Sequence, residues 1–279
     1  MARCIVVLAD GLRPDAVARP FTPTLRDLSR NYTRAAHAVT VRPSVTVAAL
    51  TSFATGVSPA THGLVEPGLG FLTRLGGLRP LGRELARQRV STLVAAGSPA
   101  ARSRPITWAL GACAGVNRLV SSSGTAGDVV RAALPELERH DGFAFVYLPD
   151  CDRTGHAHGW MSRAYLDAAN EVDSAVACLT AETGIVDNGL LVILADHGGG
   201  GVAPTDHDAP HPLNDAIPLM LAGPDVRRHH VITRPVSLLD VPATVLDWFD
   251  VPVPDCYEGT PLHDAYVQAP YVMAQAAIA

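Results

Sequence analysis

Lysine is absent from this chain of 279 residues, and every one of its 22 basic residues is arginine, which we read as codon bias rather than mechanism. Cysteine is scarce: five residues lie far apart with no Cys-x-x-Cys pair. An odd, scattered set argues against a disulfide framework and for reduced thiols in a cytoplasmic protein. No stretch approaches the ~20 apolar residues needed to span a bilayer. The apolar run Ile5 to Ala9 is too short for the core of a secretory signal, so none is expected. Positive charge is not in excess either: the net charge of -5 gives no global field to attract nucleic acid or an acidic membrane surface. Internal repeats and low-complexity linkers are missing. What remains, with 48% hydrophobic residues, is the composition of one large domain over 1–279.

The charge that is present is uneven. Between Leu69 and Val120 stand Arg74, Arg79, Arg83, Arg87, Arg89, Arg102, Arg104 and Arg118 against one acid, Glu84. A solvated helix face explains such a skew; a basic rim that draws an anionic substrate is the sharper reading. Residues 64–119 are also the least periodic, which suggests a small cap or substrate-binding excursion.

Elsewhere the hydrophobic pattern alternates between two periods. Cys4 to Ala9, Ser91 to Ala96, Phe143 to Leu148, Leu190 to Ala195 and Ile217 to Ala222 are short aliphatic runs that read as buried strands. Helices are predicted after Thr22-Pro23-Thr24, from Thr46 to Thr55 with Gly56 ending it, and over Pro80 to Arg89 and Ala126 to His140. Two more are predicted over Ser162 to Thr183 and Leu238 to Phe249, the last with Pro242 in its first turn. Strands alternating with helices imply an α/β fold: a largely parallel central sheet with helices on both faces. Ligands of such sheets gather outside the carboxyl ends of the strands.

Polar residues that bind metals recur at those ends. Asp196-His197-Gly198 follows the run Leu190 to Ala195. Successive side chains of a regular strand face opposite sides, so Asp196 and His197 reach one ion only if the backbone leaves the ladder, which Gly198 to Gly201 permit. Asp10 follows the first strand, although Asp-Gly is also a common turn. Asp152 and His156 are four apart and share a helix face, as two ligands of one cation would; a helix cap at Asp152 is the plainer reading. Asp150 has the wrong spacing to His156, His158 points elsewhere, and Cys151 reads as a bystander. His207 and His211, in the loop after the glycines, are alternative further ligands. His62 is taken as structural, and His229, His230 and His263 as surface residues without a matching acid. Acids and histidines from separate strand ends suggest two divalent cations, with mixed Asp and His donors suiting Zn2+ and allowing Mn2+ or Fe2+. Ser44 and Thr46 stand where an extended segment meets a helix N-terminus, a place where backbone N–H groups can hold a phosphate oxygen and a hydroxyl can serve as nucleophile. The alternative for Thr46 is a plain N-cap.

Taken in order, these segments resemble the alkaline phosphatase superfamily, and within it the type I phosphodiesterase and nucleotide pyrophosphatase branch, with phosphonoacetate hydrolase close by. The resemblance runs through Asp10-Gly11-Leu12-Arg13-Pro14-Asp15, Pro43-Ser44-Val45-Thr46, Thr55-Gly56-Val57-Ser58-Pro59-Ala60-Thr61-His62-Gly63, Asp152-Arg153-Thr154-Gly155-His156 and Asp196-His197-Gly198. It continues through Ile217-Pro218-Leu219 and Asp240-Val241-Pro242-Ala243-Thr244. It implies that Asp10, Asp196 and His197 hold one metal with Thr46 as nucleophile on it, and that Asp152, His156 and His207 hold the other. It places Thr46 ahead of Ser44, and His207 ahead of His211. It implies hydrolysis of phosphate esters, diesters or pyrophosphates, through a phosphothreonine, with a phosphonate hydrolase or phosphatase as alternative. A phosphomutase or a non-catalytic metal-stabilised binding protein ranks lower, and the sulfatase processing motif is missing around Ser44. Four positions depart from the pattern. Pro67 stands where the branch carries a phosphate-binding Asn, Ala48-Ala49 replace Pro-Asn, and Asp208 replaces the Gly after the last histidine. Oxyanion recognition is therefore expected from another group, such as an arginine. The expected partner is a small anionic substrate carrying phosphate or phosphonate.

Overall fold

The computed structural model describes residues 2–66, 77–97 and 114–267. Its strands are β1 (Cys4–Ala9), β2 (Thr33–Ala35), β3 (Ala38–Val39), β4 (Ser91–Gly97), β5 (Arg118–Ser122), β6 (Gly142–Leu148), β7 (Leu190–Leu194), β8 (Ala216–Ile217), β9 (Leu219–Ala222), β10 (His230–Ile232) and β11 (Val236–Ser237). Eight of them form one sheet in the order β10-β2-β9-β7-β1-β6-β4-β5, and β11-β3-β8 form a small second sheet. Within the large sheet β9 alone runs antiparallel to its neighbours β7 and β2. The fold is alkaline-phosphatase-like α/β.

The aliphatic runs form the centre because a strand covered on both faces has no polar side to present. All of β1 and β7 is buried. The helix Arg163–Thr183 packs with Pro23–Asn31, Ala126–Leu137 and Asp150–His158; the helices Thr46–Thr55, Leu81–Arg87 and Asp240–Trp248 pack together as a second group. Pro218 has no N–H for a ladder, so the single strand expected over Ile217 to Ala222 is divided between β8 in the small sheet and β9 in the large one.

Within 64–119, β4 and the start of β5 extend the main sheet and Leu81–Arg87 packs against β4. Residues 67–76 and 98–113 of this span, with Pro67, Arg74, Arg102 and Arg104, lie outside the described residues. Where it is described, the basic rim is neutralised at Arg79, Arg87 and Arg118 but not at Arg83 or Arg89. Glu84, buried at 3% exposure, takes hydrogen bonds from both Arg79 and Arg87, and Arg118 pairs with Glu136.

Candidate metal centre

Three adjacent parallel strands each deliver one carboxylate to the same edge. β1 lies between β7 and β6, and Asp10 follows β1, Asp196 follows β7, and Asp152 sits in the first turn of the helix Asp150–His158 that follows β6. Backbone bonds fix their spacing: Asp10 N–H donates to the Leu148 carbonyl at 2.9 Å, and Asp152 N–H to the Asp10 carbonyl at 2.9 Å. Gly11 makes this approach possible. Its φ is +68°, and a Cβ there would stand 2.8 Å from the Asp152 Cα. The glycines after His197 serve Trp160 in the same way, since a Cβ on Gly199 would lie 2.1 Å from its ring.

The histidines are oriented by their inner nitrogens. Nδ1 of His197 donates to the Gly198 carbonyl at 2.8 Å, Nδ1 of His207 to the Ser44 carbonyl at 2.7 Å, and Nδ1 of His156 to the Thr205 carbonyl at 2.9 Å. A carbonyl only accepts, so each Nδ1 carries the proton and each Nε2 presents a lone pair. Those lone pairs converge. His207 Nε2 lies 3.1 Å from His156 Nε2, and Asp152 Oδ1 lies 3.3 Å from His156 Nε2 and 3.5 Å from His207 Nε2. His197 Nε2 is 3.3 Å from Asp10 Oδ1, 3.7 Å from Asp196 Oδ2 and 3.8 Å from Asp152 Oδ1. Its ring stacks on that of His207 with centroids 3.8 Å apart.

These donors fit divalent cations. Asp10 Oδ1, Asp152 Oδ1 and Asp196 Oδ2 are buried with no hydrogen-bond partner, an expensive arrangement unless a cation takes the lone pairs. Two acceptor nitrogens at 3.1 Å likewise need something positive between them. A tetrahedral ion with ligands at about 2.0–2.1 Å would set its donors roughly 3.3 Å apart, close to the spacings of Asp152, His156 and His207. Two groups with metal-ligand geometry result, Asp10–Asp196–His197 and Asp152–His197–His207, with His197 common to both; His156 adjoins the second. The crowding of these groups shows in the acid–base balance. Burial, then the negative charges of Asp196 and Asp152, push the Asp10 carboxyl up. Burial also raises Asp152, and burial followed by the nearby His197 lowers His207.

The structure brings Asp10, Thr46, Asp152, His156, Asp196, His197 and His207 into one place. Thr46 Oγ1 lies 3.3 Å from His197 Nε2. Thr46 is not the N-cap of its helix: Val45 holds that position, without a side-chain hydrogen bond, and Thr46 is the first helical residue. Ser44 is committed elsewhere, its hydroxyl donating to the His207 carbonyl at 3.0 Å. His211 caps the short helix Pro212–Asp215 by accepting from Leu213 N–H, away from the cluster. Asp150 faces Arg153, and His62 is buried against Ser52. His263 does have an acid, Asp247, at 3.1 Å, contrary to its reading as an unmatched surface residue.

The model of type I phosphodiesterase / nucleotide pyrophosphatase matches residues 4–70 and 80–245, most of the chain, including every residue of the two candidate groups. This chain belongs to that family. Family members are metal-dependent phosphoester hydrolases, in agreement with the two candidate groups. Solved structures with the same fold include human ectonucleotide pyrophosphatase / phosphodiesterase 5, at 12% identity and TM-score 0.75 over 95% of this chain and 100% of that one. Its murine counterpart, an inactive threonine-to-alanine form in complex with AMP, matches at 14% identity and TM-score 0.74 over 95% and 100%. The phosphonate monoester hydrolase of Silicibacter pomeroyi matches at 17% identity and TM-score 0.73 over 97% and 78%.

Sequence reasoning missed residues that support this cluster from behind. The Tyr147 hydroxyl donates to Asp10 Oδ2. Tyr165 donates its hydroxyl to the Gly11 carbonyl at 2.8 Å and accepts the Arg13 N–H at 2.9 Å. Trp160 Nε1 donates to the same carbonyl at 2.9 Å, and its ring meets the His156 and His207 rings edge-on at 5.2 and 5.7 Å. One signal was present for Tyr147, a phenol one residue before the end of an otherwise apolar strand. Trp160 and Tyr165 carried none that separates them from core aromatics.

Proposed function

We propose that this chain hydrolyses phosphodiesters or pyrophosphates of small anionic molecules, with Thr46 as the nucleophile. The observation that carries this reading is the convergence of three unpartnered carboxylate oxygens and three imidazole Nε2 atoms beside one hydroxyl, Thr46 Oγ1, whose contact is with His197 Nε2 of that cluster. Asp10, Asp196 and His197 would hold one divalent cation and Asp152, His156 and His207 another, Zn2+ fitting the mixed donors and Mn2+ or Fe2+ also suiting them. Such ions, when bound, supply Lewis acidity that lowers the pKa of a hydroxyl and offsets charge on entering and leaving oxygens.

The chain's own residues do the rest. Thr46 Oγ forms a bond to phosphorus as the bond to the leaving oxygen breaks; the hydroxyl proton is released and the leaving oxygen takes one up. Water then attacks the phosphothreonine, the Oγ–P bond breaks, and Oγ regains a proton. The first turn of Thr46–Thr55 directs backbone N–H groups toward a phosphate oxygen. Ser44 keeps this turn and the His207 loop together through its two bonds with His207.

A phosphonate is the second reading. It is favoured by Pro67 and by Ala48-Ala49, which offer no side-chain donor where related phosphodiesterases carry Asn. The deciding experiment measures initial rates on bis(p-nitrophenyl) phosphate, p-nitrophenyl phosphate and p-nitrophenyl phenylphosphonate with Zn2+ or Mn2+ added. Diester turnover that falls by about 10³-fold or more in Thr46→Ala supports the proposal. Turnover of the phosphonate alone supports the second reading. A Thr46→Ala protein as active as wild type would refute Thr46 as nucleophile.

A further inference from the structure

A cavity of about 520 Å³ opens beside β2 and β9, lined by Arg26, Arg30, Arg34 and His37 over an apolar floor that includes Val17 and Met220. Its charge is one-sided, since no acidic side chain lines it. Arg30, Arg34 and His37 make no side-chain hydrogen bond or ion pair. Arg26 Nε is buried without a hydrogen-bond partner, its nearest carboxylate being that of exposed Asp27 at 3.6 Å. This contrasts with Arg79, Arg87, Arg118 and Arg131, each of which has a carboxylate within hydrogen-bond reach.

The placement is set by three elements. Arg26 and Arg30 are four apart on the helix Pro23–Asn31 and share a face. Arg34 lies on β2 opposite Met220 of β9. β2 is two strands from β7, whose end carries Asp196, so this row stands roughly 10 Å from that strand in the plane of the sheet. The groove is thus a neighbour of the metal centre and shares no residue with it. Guanidinium groups gathered around one cavity repel each other, and a buried N–H left unpaired costs free energy. A planar or tetrahedral oxyanion removes both penalties by accepting forked bonds from arginine. The apolar floor then takes hydrophobic surface, in a volume usual for small-molecule sites.

We propose that this groove is a second ligand site, binding a small organic anion by its phosphate, sulfonate or carboxylate head at Arg26, Arg30 and Arg34 and by its apolar body on Val17 and Met220. The probe is 8-anilinonaphthalene-1-sulfonate, titrated by fluorescence into full-length Zn2+-loaded protein. Saturable binding is expected, weakened at least tenfold in the Arg30→Gln/Arg34→Gln double variant and unchanged in Thr46→Ala. The uncharged N-phenyl-1-naphthylamine should bind at least tenfold more weakly than the sulfonate. In protein with labelled methionine methyls, the Met220 resonance should shift as the sulfonate binds. Equal affinity in the double variant, equal affinity for the uncharged probe, or an unmoved Met220 methyl would each overturn the proposal. Both arginines are exposed, so their replacement removes charge without disturbing the core.

Discussion

The Tyr147 hydroxyl occupies one oxygen of Asp10, Oδ2, and leaves the other, Oδ1, buried and unpartnered 3.3 Å from His197 Nε2. One carboxylate is thus divided between a fixed protein donor and the space where a cation fits. Groups that orient a metal ligand from behind commonly contribute 10–100-fold to affinity. Tyr147→Phe is therefore expected to weaken divalent-ion binding by about 10–100-fold, read by competition with a chromophoric chelator. The far-ultraviolet circular dichroism spectrum should not change. Unchanged affinity would show that Asp10 is held by its backbone alone.

Gly11 is where the backbone of one ligand strand meets that of the next. Gly11→Ala combines a left-handed φ of +68° with a Cβ 2.8 Å from the Asp152 Cα. Left-handed backbone costs a non-glycine residue about 1–2 kcal/mol, and the overlap adds to it. The expected result is a loss of at least about 2 kcal/mol in urea denaturation together with weakened metal binding. A variant with wild-type stability would mean that the two strand ends separate freely.

Glu84 supplies a pH dependence remote from the metal centre. Burial pushes its pKa up, but hydrogen bonds from Arg79 and Arg87 and their charges outweigh this and hold it below the ordinary carboxylate value. A folded-state pKa below the unfolded one gives stability that is present above the unfolded pKa, about 4.3 for Glu. That stability is lost as pH falls through the folded value. Glu84→Gln is expected to lower stability by about 1 kcal/mol at neutral pH, the half-exposed arginines keeping the figure small. It should also flatten the decline below about pH 4. Parallel stability–pH curves for the two proteins would rule this account out.

Much of this was legible in the residues. The aliphatic runs predicted the central strands because continuous burial leaves a continuous pattern, and Gly56 marked a helix end through its left-handed φ of 70°. Asp152 and His156 shared a face because a helix repeats every 3.6 residues, a local rule that needs no tertiary knowledge. Arginine gave the opposite lesson. The skew over 69–120 suggested an anion-attracting rim, yet Glu84 and Glu136 pair with three of its described arginines, Arg79, Arg87 and Arg118. Arginines lining one cavity came instead from Arg26, Arg30 and Arg34, where no local excess of charge had drawn notice.

The sequence by itself determined which residues end strands, which carry donor atoms and which could be brought together by an α/β sheet, because those properties depend on side-chain chemistry and short-range period. Only the tertiary structure decided that β7, β1 and β6 lie side by side, and so that Asp196, Asp10 and Asp152 face one another. It also assigned Ser44 to a bond with the His207 carbonyl and left the Thr46 hydroxyl beside His197. Tyr147 met Asp10 across 137 residues of chain. Strand order and hydrogen-bond partners at such separations are set by how whole layers pack, and no window of sequence contains that information.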